Sequence, residues 1–215
     1  NELSGYKVRE HPKIFSAVGA TGNDCDLYGA FRFRGGGKYL LVLGGEEDAH
    51  AAYQMFKEYS DSKGSDFVTA VVSVTTGETS CQKQIQANYQ FLDSFENIVI
   101  GFDSDKPGQE GTEKILPFLP KGKVKIAKWT RAKDPNEYLD KNGQKHFLAD
   151  FYNAKTYVPA GVVPSSDLYS KILNQATVQK VPLPPFAKKL ETMLGGGLML
   201  GHIYNFAAQT GIGKT

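Results

Sequence analysis

Three short apolar runs and a fourth that alternates, each followed by a segment of helical periodicity, limit this chain to few folds. The apolar runs are Tyr39 to Leu43, FVTAVVSV (67–74) and the apolar part of NIVIGFDSD (97–105); the fourth, KVKIAKW (123–129), reads as a strand by alternation. The first two are rich in β-branched and aliphatic residues with no polar alternation, which suits strands buried on both faces. After the first run, Ala51, Ala52, Met55, Phe56 and Tyr59 recur at helical spacing. After the second, GETSCQKQIQANYQFLDSF (77–95) carries Ile85, Tyr89, Leu92 and Phe95 on one side. PGQEGTEKILPFL (107–119) opens a third helix with Pro107 near its first turn, and KDPNEYL (133–139) follows the fourth run. This rhythm predicts an α/β fold, a Rossmann-like parallel sheet flanked by helices, with right-handed crossovers placing the strand ends on one edge.

The flanks differ. Residues 1–37 are basic, Gly-rich and weakly periodic, with FRFRGGG (31–37) reading as a short strand and a loop. Residues 151–192 read as a linker with one helix capped near Ser165 or Ser166, closing in the extended VPLPPF (181–186). Residues 193–215 start a new pattern: a glycine turn, an apolar strand over His202 to Ala207, then AQTGIGKT (208–215). Both ends break off mid-pattern, so a segment of a longer protein is expected. The domain boundaries expected are 1–37, 38–150, 151–192 and 193–215.

Composition excludes several classes. The net charge is only +2, so contact with nucleic acid would rest on local basic clusters. Two cysteines, Cys25 and Cys81, stand far apart, which excludes a disulfide framework and a Cys₄ zinc module and fits a reducing cytoplasm. No apolar stretch approaches the roughly 18 residues of a membrane span, and no membrane partner is expected.

The chemistry gathers where strands end. Glu46, Glu47 and Asp48 follow the first run, Asp103 and Asp105 the third, and Asp134 the fourth. Ligands of open α/β sheets bind beyond the carboxyl ends of the strands. Residues two apart on an extended chain face the same way, so Asp103 and Asp105 share a side and Ser104 turns aside. Carboxylates gathered at one edge repel unless a cation sits among them, and Mg²⁺ takes such oxygens together with substrate phosphates. The plainer alternative is that each acid caps a helix or complements its dipole.

GGEED, then D-x-D after a later strand, resembles the TOPRIM signature. With KVRE (7–10), LYG (27–29), the 81–109 block, KDPNEYL and GVVP, the chain resembles phage bifunctional primase-helicases and their mitochondrial relative Twinkle. The resemblance implies a TOPRIM domain preceded by a small basic subdomain and linked to the truncated start of a RecA-like helicase. It implies a primase: Mg²⁺- or Mn²⁺-dependent synthesis of short RNA primers from nucleoside triphosphates on a single-stranded DNA template. Asp103, Asp105 and Glu46 would hold metal, with Asp48 and Asp134 completing the catalytic set. Lys7, Arg9 and Lys13 would meet nucleotide or template phosphates, or form a solvated basic face. Gly211, Gly213, Lys214 and Thr215 would form the ATP phosphate loop, with Ala208 at its first glycine position. The intact protein would unwind DNA as a homo-hexamer or heptamer, partnered by DNA polymerase and single-strand binding protein. It would act in the cytoplasm of an infected bacterium or at its nucleoid.

One departure counts against priming. The first TOPRIM acid falls on Gly44, which has no side chain to ligate or to move a proton. A catalytically silent TOPRIM scaffold that binds single-stranded DNA for an attached helicase is therefore the second reading. A TOPRIM nuclease or topoisomerase is a third, without a tyrosine nucleophile context to support it.

Overall fold

The computed structural model describes residues 5–10, 14–33, 35–159, 168–169, 172–173, 180–205 and 207. The chain divides into two units, Asn1–Tyr157 and Val158–Thr215.

The first unit is built on a five-stranded sheet. Its strands are β3 (Gly37–Leu43), β4 (Ala70–Ser73), β5 (Phe95–Ile100), β6 (Val124–Ile126) and β7 (Lys155–Thr156). The order is β4-β3-β5-β6-β7, parallel except for β7, which runs antiparallel to β6. The helices are α1 (Glu46–Ser62), α2 (Gln82–Ala87), α3 (Tyr89–Asp93), α4 (Lys106–Ile115), α5 (Pro135–Asp140) and α6 (Gln144–Tyr152).

Period-2 alternation divides the apolar runs between two cores. Leu40, Val42, Val72, Ile98 and Ile100 pack with Ile85, Leu92 and Ile115 on one face of the sheet. Leu41, Leu43, Val71 and Val99 pack with Met55, Phe56, Tyr138, Phe147 and Phe151 on the other. Each fully buried side chain of this kind contributes about 1.5–3 kcal/mol. Phe56 adds edge-on contacts to Phe147 and Phe151, with centroids 5.1 and 4.8 Å away, a geometry that suits the ring quadrupoles. This double burial fixes the strand ends, and with them every acid of the site.

Before the sheet comes an antiparallel hairpin, β1 (Gly5–Glu10) and β2 (Ile14–Gly19). Three local expectations need correction. The aromatic part of FRFRGGG forms no strand among the described residues: Ala30–Arg32 is a 3₁₀ turn, and Gly35 and Gly36 turn the chain at positive φ before Gly37 opens β3. A Cβ at Gly36 would lie 2.2 Å from the Ser94 carbonyl oxygen, so only glycine passes there. The segment 77–95 is not one helix but a 3₁₀ turn, α2 and α3, broken at Asn88. The Asn88 amide group bonds Gln84 O, Cys25 O and the Leu27 N–H, so the break ties the helix to the 25–27 loop. Tyr89, which the periodicity puts on one side with Ile85, Leu92 and Phe95, is exposed.

In the second unit, β8 (Lys180–Val181) pairs antiparallel with β9 (Leu198–Met199), and a short helix spans Lys188–Met193. The strand expected from His202 is irregular over 202–205, where no neighbouring strand pairs with it among the described residues. The phosphate loop Gly211, Gly213, Lys214 and Thr215 lies outside the described residues, as do Lys13 and all of the expected linker helix except the helical residues 168–169 and 172–173. No described helix is long and apolar enough to cross a membrane.

Candidate active site at the strand ends

From β3 the chain moves to β4 on one side of it, and then returns to β5 on the other. The carboxyl ends of β3 and β5 therefore flank a topological switch point, where α/β sheets leave a crevice. Val42 lies beside Ile100 in the register, so Gly44 and Asp103 leave the sheet from neighbouring strands.

Asp103 and Asp105 bring carboxylate oxygens within 4.8 Å of each other where the chain bends at Ser104 and Asp105, past the end of β5. Ser104 turns away, its N–H donating to Lys133 O at 3.1 Å. Asp105 also caps α4, its Oδ1 accepting the Gly108 N–H at 2.9 Å. Asp134 is 7% exposed and caps α5, accepting the Glu137 N–H at 2.7 Å, while Lys133 Nζ stands 3.1 Å from its Oδ2. Asp48, in the first turn of α1, accepts the Asn136 N–H at 3.3 Å. For Asp105 and Asp134 the capping reading is correct, and it coexists with their place at the acidic edge.

Glu46 is placed differently. It accepts Lys7 Nζ at 2.6 Å, and the same ammonium donates to Thr75 O at 2.9 Å. Arg9 pairs with Glu47. Lys7 and Arg9 stand two apart on β1, over the Phe15 ring. They line a cleft of about 630 Å³ with Tyr28, Glu46 and Asp48 between the hairpin and the start of α1.

A residue absent from the expected set completes the acidic cluster. Glu78, in the 3₁₀ turn after β4, presents a carboxylate oxygen that lies with one from Asp103 and one from Asp105, all within 4.8 Å of one another. Its Oε1 accepts the Asp103 N–H at 2.8 Å.

Residues 41–139 match the Toprim-like family. The chain is 32% identical over 175 residues to the DNA helicase/primase of Enterobacteria phage T3, an alignment covering 81% of this chain and 29% of that protein. Among solved structures, the primase fragment of the bacteriophage T7 primase-helicase superposes with a TM-score of 0.59 at 31% identity, covering 68% of this chain and 56% of the fragment. A bacteriophage T7 assembly of lagging-strand DNA polymerase with two primase domains, an RNA/DNA hybrid and dTTP gives a TM-score of 0.61 at 31% identity, covering 71% of this chain and 72% of the matching one. The chain belongs to the phage primase-helicase family. It carries the Toprim fold of that family's primase part and spans about three-tenths of the length of the phage T3 relative.

The Toprim-like segment holds every strand-end acid of the site, from Glu46 to Asp134. Their crowding has a measurable consequence. Burial first, and then the charges of Asp134 and Asp103, push the Asp48 carboxyl up to about 7. Burial, and then the charges of Asp103, Asp105 and Asp48, push Glu78 up to about 7 despite the bond from the Asp103 N–H. Lys133 pairs with Asp134 at this edge, and its own protonation is favoured by Asp134 first and by Asp103 further off. The donor set is all carboxylate, the hard-oxygen chemistry that Mg²⁺ and Mn²⁺ take. The residues fit a divalent ion.

Proposed function

We propose that this chain is the primase portion of a replicative primase-helicase, joining ribonucleoside triphosphates into short RNA primers on single-stranded DNA. The observation that carries this reading is the convergence of Glu78, Asp103 and Asp105 at the switch point, with Asp48 and Asp134 close behind. Asp103 and Asp105 would hold Mg²⁺ or Mn²⁺, and Glu46 would join them once Lys7 leaves it for a substrate phosphate. A divalent ion bound there supplies charge neutralisation for phosphoryl transfer. The rest falls to the chain itself. Asp134 and Asp105, locked as helix caps, keep the acidic edge in place before substrate arrives. Lys7 and Arg9, held by half-exposed ion pairs, are free to turn toward triphosphate or template phosphates in the adjoining cleft, and Lys13 belongs to the same basic stretch. In the intact protein, Gly211, Gly213, Lys214 and Thr215 would cradle ATP, and a hexameric or heptameric helicase would unwind DNA beside a DNA polymerase and single-strand binding protein in the infected cytoplasm. The domain boundaries 1–37, 38–150, 151–192 and 193–215 belong to the same proposal.

Gly44 favours a second reading, a silent scaffold that binds single-stranded DNA. An assay with ribonucleotides, Mg²⁺ and mixed-sequence single-stranded DNA separates the two. Priming predicts short RNA products that vanish in Asp103→Asn with Asp105→Asn. DNA binding without any RNA product, in the chain joined to its helicase, would establish the scaffold.

A further inference from the structure

The end of β3 is where an acid was expected, and Gly44 stands there instead. That place is not empty. A Cβ built on Gly44 would lie 2.2 Å from Glu78 Oε1, 2.5 Å from its Cγ and 2.6 Å from its Cδ. The carboxylate of Glu78 thus fills the volume that a side chain at residue 44 would enter, from a segment that crosses the switch point between β4 and α2.

The seat is shaped on a second side. A Cβ on Gly111, in α4, would lie 2.6 Å from the Glu78 carbonyl oxygen. The same helix comes close to the D-x-D turn at Gly108, where a Cβ would stand 2.2 Å from Asp103 O. Two glycines one helical turn apart let α4 press against the backbone of both acidic segments. The Asp103 N–H then orients the Glu78 carboxylate, and its oxygen is left within 4.8 Å of those of Asp103 and Asp105.

We infer that Glu78 is the acid that replaces the one missing at Gly44, so that the cation-binding edge is complete in this chain through a ligand supplied by a different loop. This rests on the metal-dependent reading above. It also gives Gly44 a positive role: glycine there is the condition for Glu78 to reach its place, and restoring an acid at 44 alone evicts the acid already present.

The test is Mn²⁺ binding to the 215-residue chain, read by the loss of the free-ion electron paramagnetic resonance signal, with circular dichroism confirming the fold of each variant. Glu78→Gln keeps an oxygen to accept the Asp103 N–H and removes only the charge. Its Mn²⁺ affinity should fall about tenfold or more, the loss expected when a group at a metal site is removed. Gly44→Glu should also weaken binding, whereas Gly44→Glu with Glu78→Ala should bind more tightly than either Gly44→Glu or Glu78→Ala alone. Wild-type affinity in Glu78→Gln, with binding lost in Asp103→Asn plus Asp105→Asn, overturns the role of Glu78 and leaves the metal site standing. A double variant that binds no better than the single ones likewise overturns the replacement. Absence of Mn²⁺ binding by the unaltered chain overturns the metal-dependent reading and this inference together.

Discussion

Raising the pH without a divalent ion should destabilise the first unit, and Mg²⁺ should reverse the effect. Asp48 is raised from 3.8 to about 7, and Glu78 from 4.5 to about 7. Between their unfolded and folded values the native state holds more protons than the unfolded chain, so native stability declines with rising pH there. The contribution is fully present below about pH 4 and is lost as the pH passes through about 7. Each tenfold change in proton affinity corresponds to about 1.4 kcal/mol. Both groups are partly solvated and share neighbours, so screening reduces the combined contribution to about 1–2 kcal/mol. At roughly 2–4 °C per kcal/mol for a unit of this size, Tm in EDTA should fall by about 3–6 °C from about pH 5 to about pH 8. The assay is differential scanning fluorimetry of the wild type against Asp48→Asn with Glu78→Gln, whose difference isolates these carboxylates from other titrating groups. Millimolar Mg²⁺ selects the ionised form and should stabilise the wild type more at the upper pH. A wild-type-minus-variant Tm that rises with pH, or equal Mg²⁺ stabilisation at both ends, would refute the electrostatic account.

Other consequences lie further from the acids. Gly101→Ala would place a Cβ 2.5 Å from Trp129 Cζ2 and close against Leu41 and Leu43, and should cost about 1–3 kcal/mol in urea unfolding; an unchanged midpoint would contradict the packing described. Cys81 is fully buried and its thiol is pushed up to about 12, so a thiol reagent should label one cysteine, Cys25, in the native protein and both in denaturant. Two fast equivalents in the native protein would contradict that burial. Lys7→Ala and Arg9→Ala should leave unfolding within about 1 kcal/mol of wild type, because their ion pairs are half-exposed, yet weaken binding of a nucleoside triphosphate. Unaltered nucleotide affinity in the double variant would assign the pair a merely structural role.

Much of this architecture is readable from local pattern. Tyr39–Leu43 and the run before Asp103 are continuous apolar stretches, and only a sheet covered on both faces buries all of them. The D-x-D spacing anticipates that Asp103 and Asp105 come together, although the chain brings them there at a bend and not on extended strand. Spacing along the chain does not place Glu46. The helix begins at Glu46 itself, so its direction follows helical geometry and brings it to Lys7 rather than to the cluster. Glu78 is hidden for a different reason. Its place depends on how the connection from β4 crosses the switch point, a non-local matter, and GETS differs little from any capping turn. The available signal was positional: Glu78, like Asp48 and Asp103, sits just past a buried strand. The glycines at 44, 108 and 111 gain meaning only once the segments they admit are in contact. The FRFRGGG stretch alternates like a strand, but Gly35 and Gly36 turn it past Ser94 and no described strand pairs with its aromatic part.

Anomalous diffraction from crystals of the 215-residue chain soaked in Mn²⁺ tests the central claim most directly. The account predicts a Mn²⁺ peak bounded by the carboxylates of Glu78, Asp103 and Asp105, at the ends of β3 and β5. A fully soaked crystal with that position bare, or with Mn²⁺ held only at Glu46 and Glu47 beside the hairpin, would contradict it.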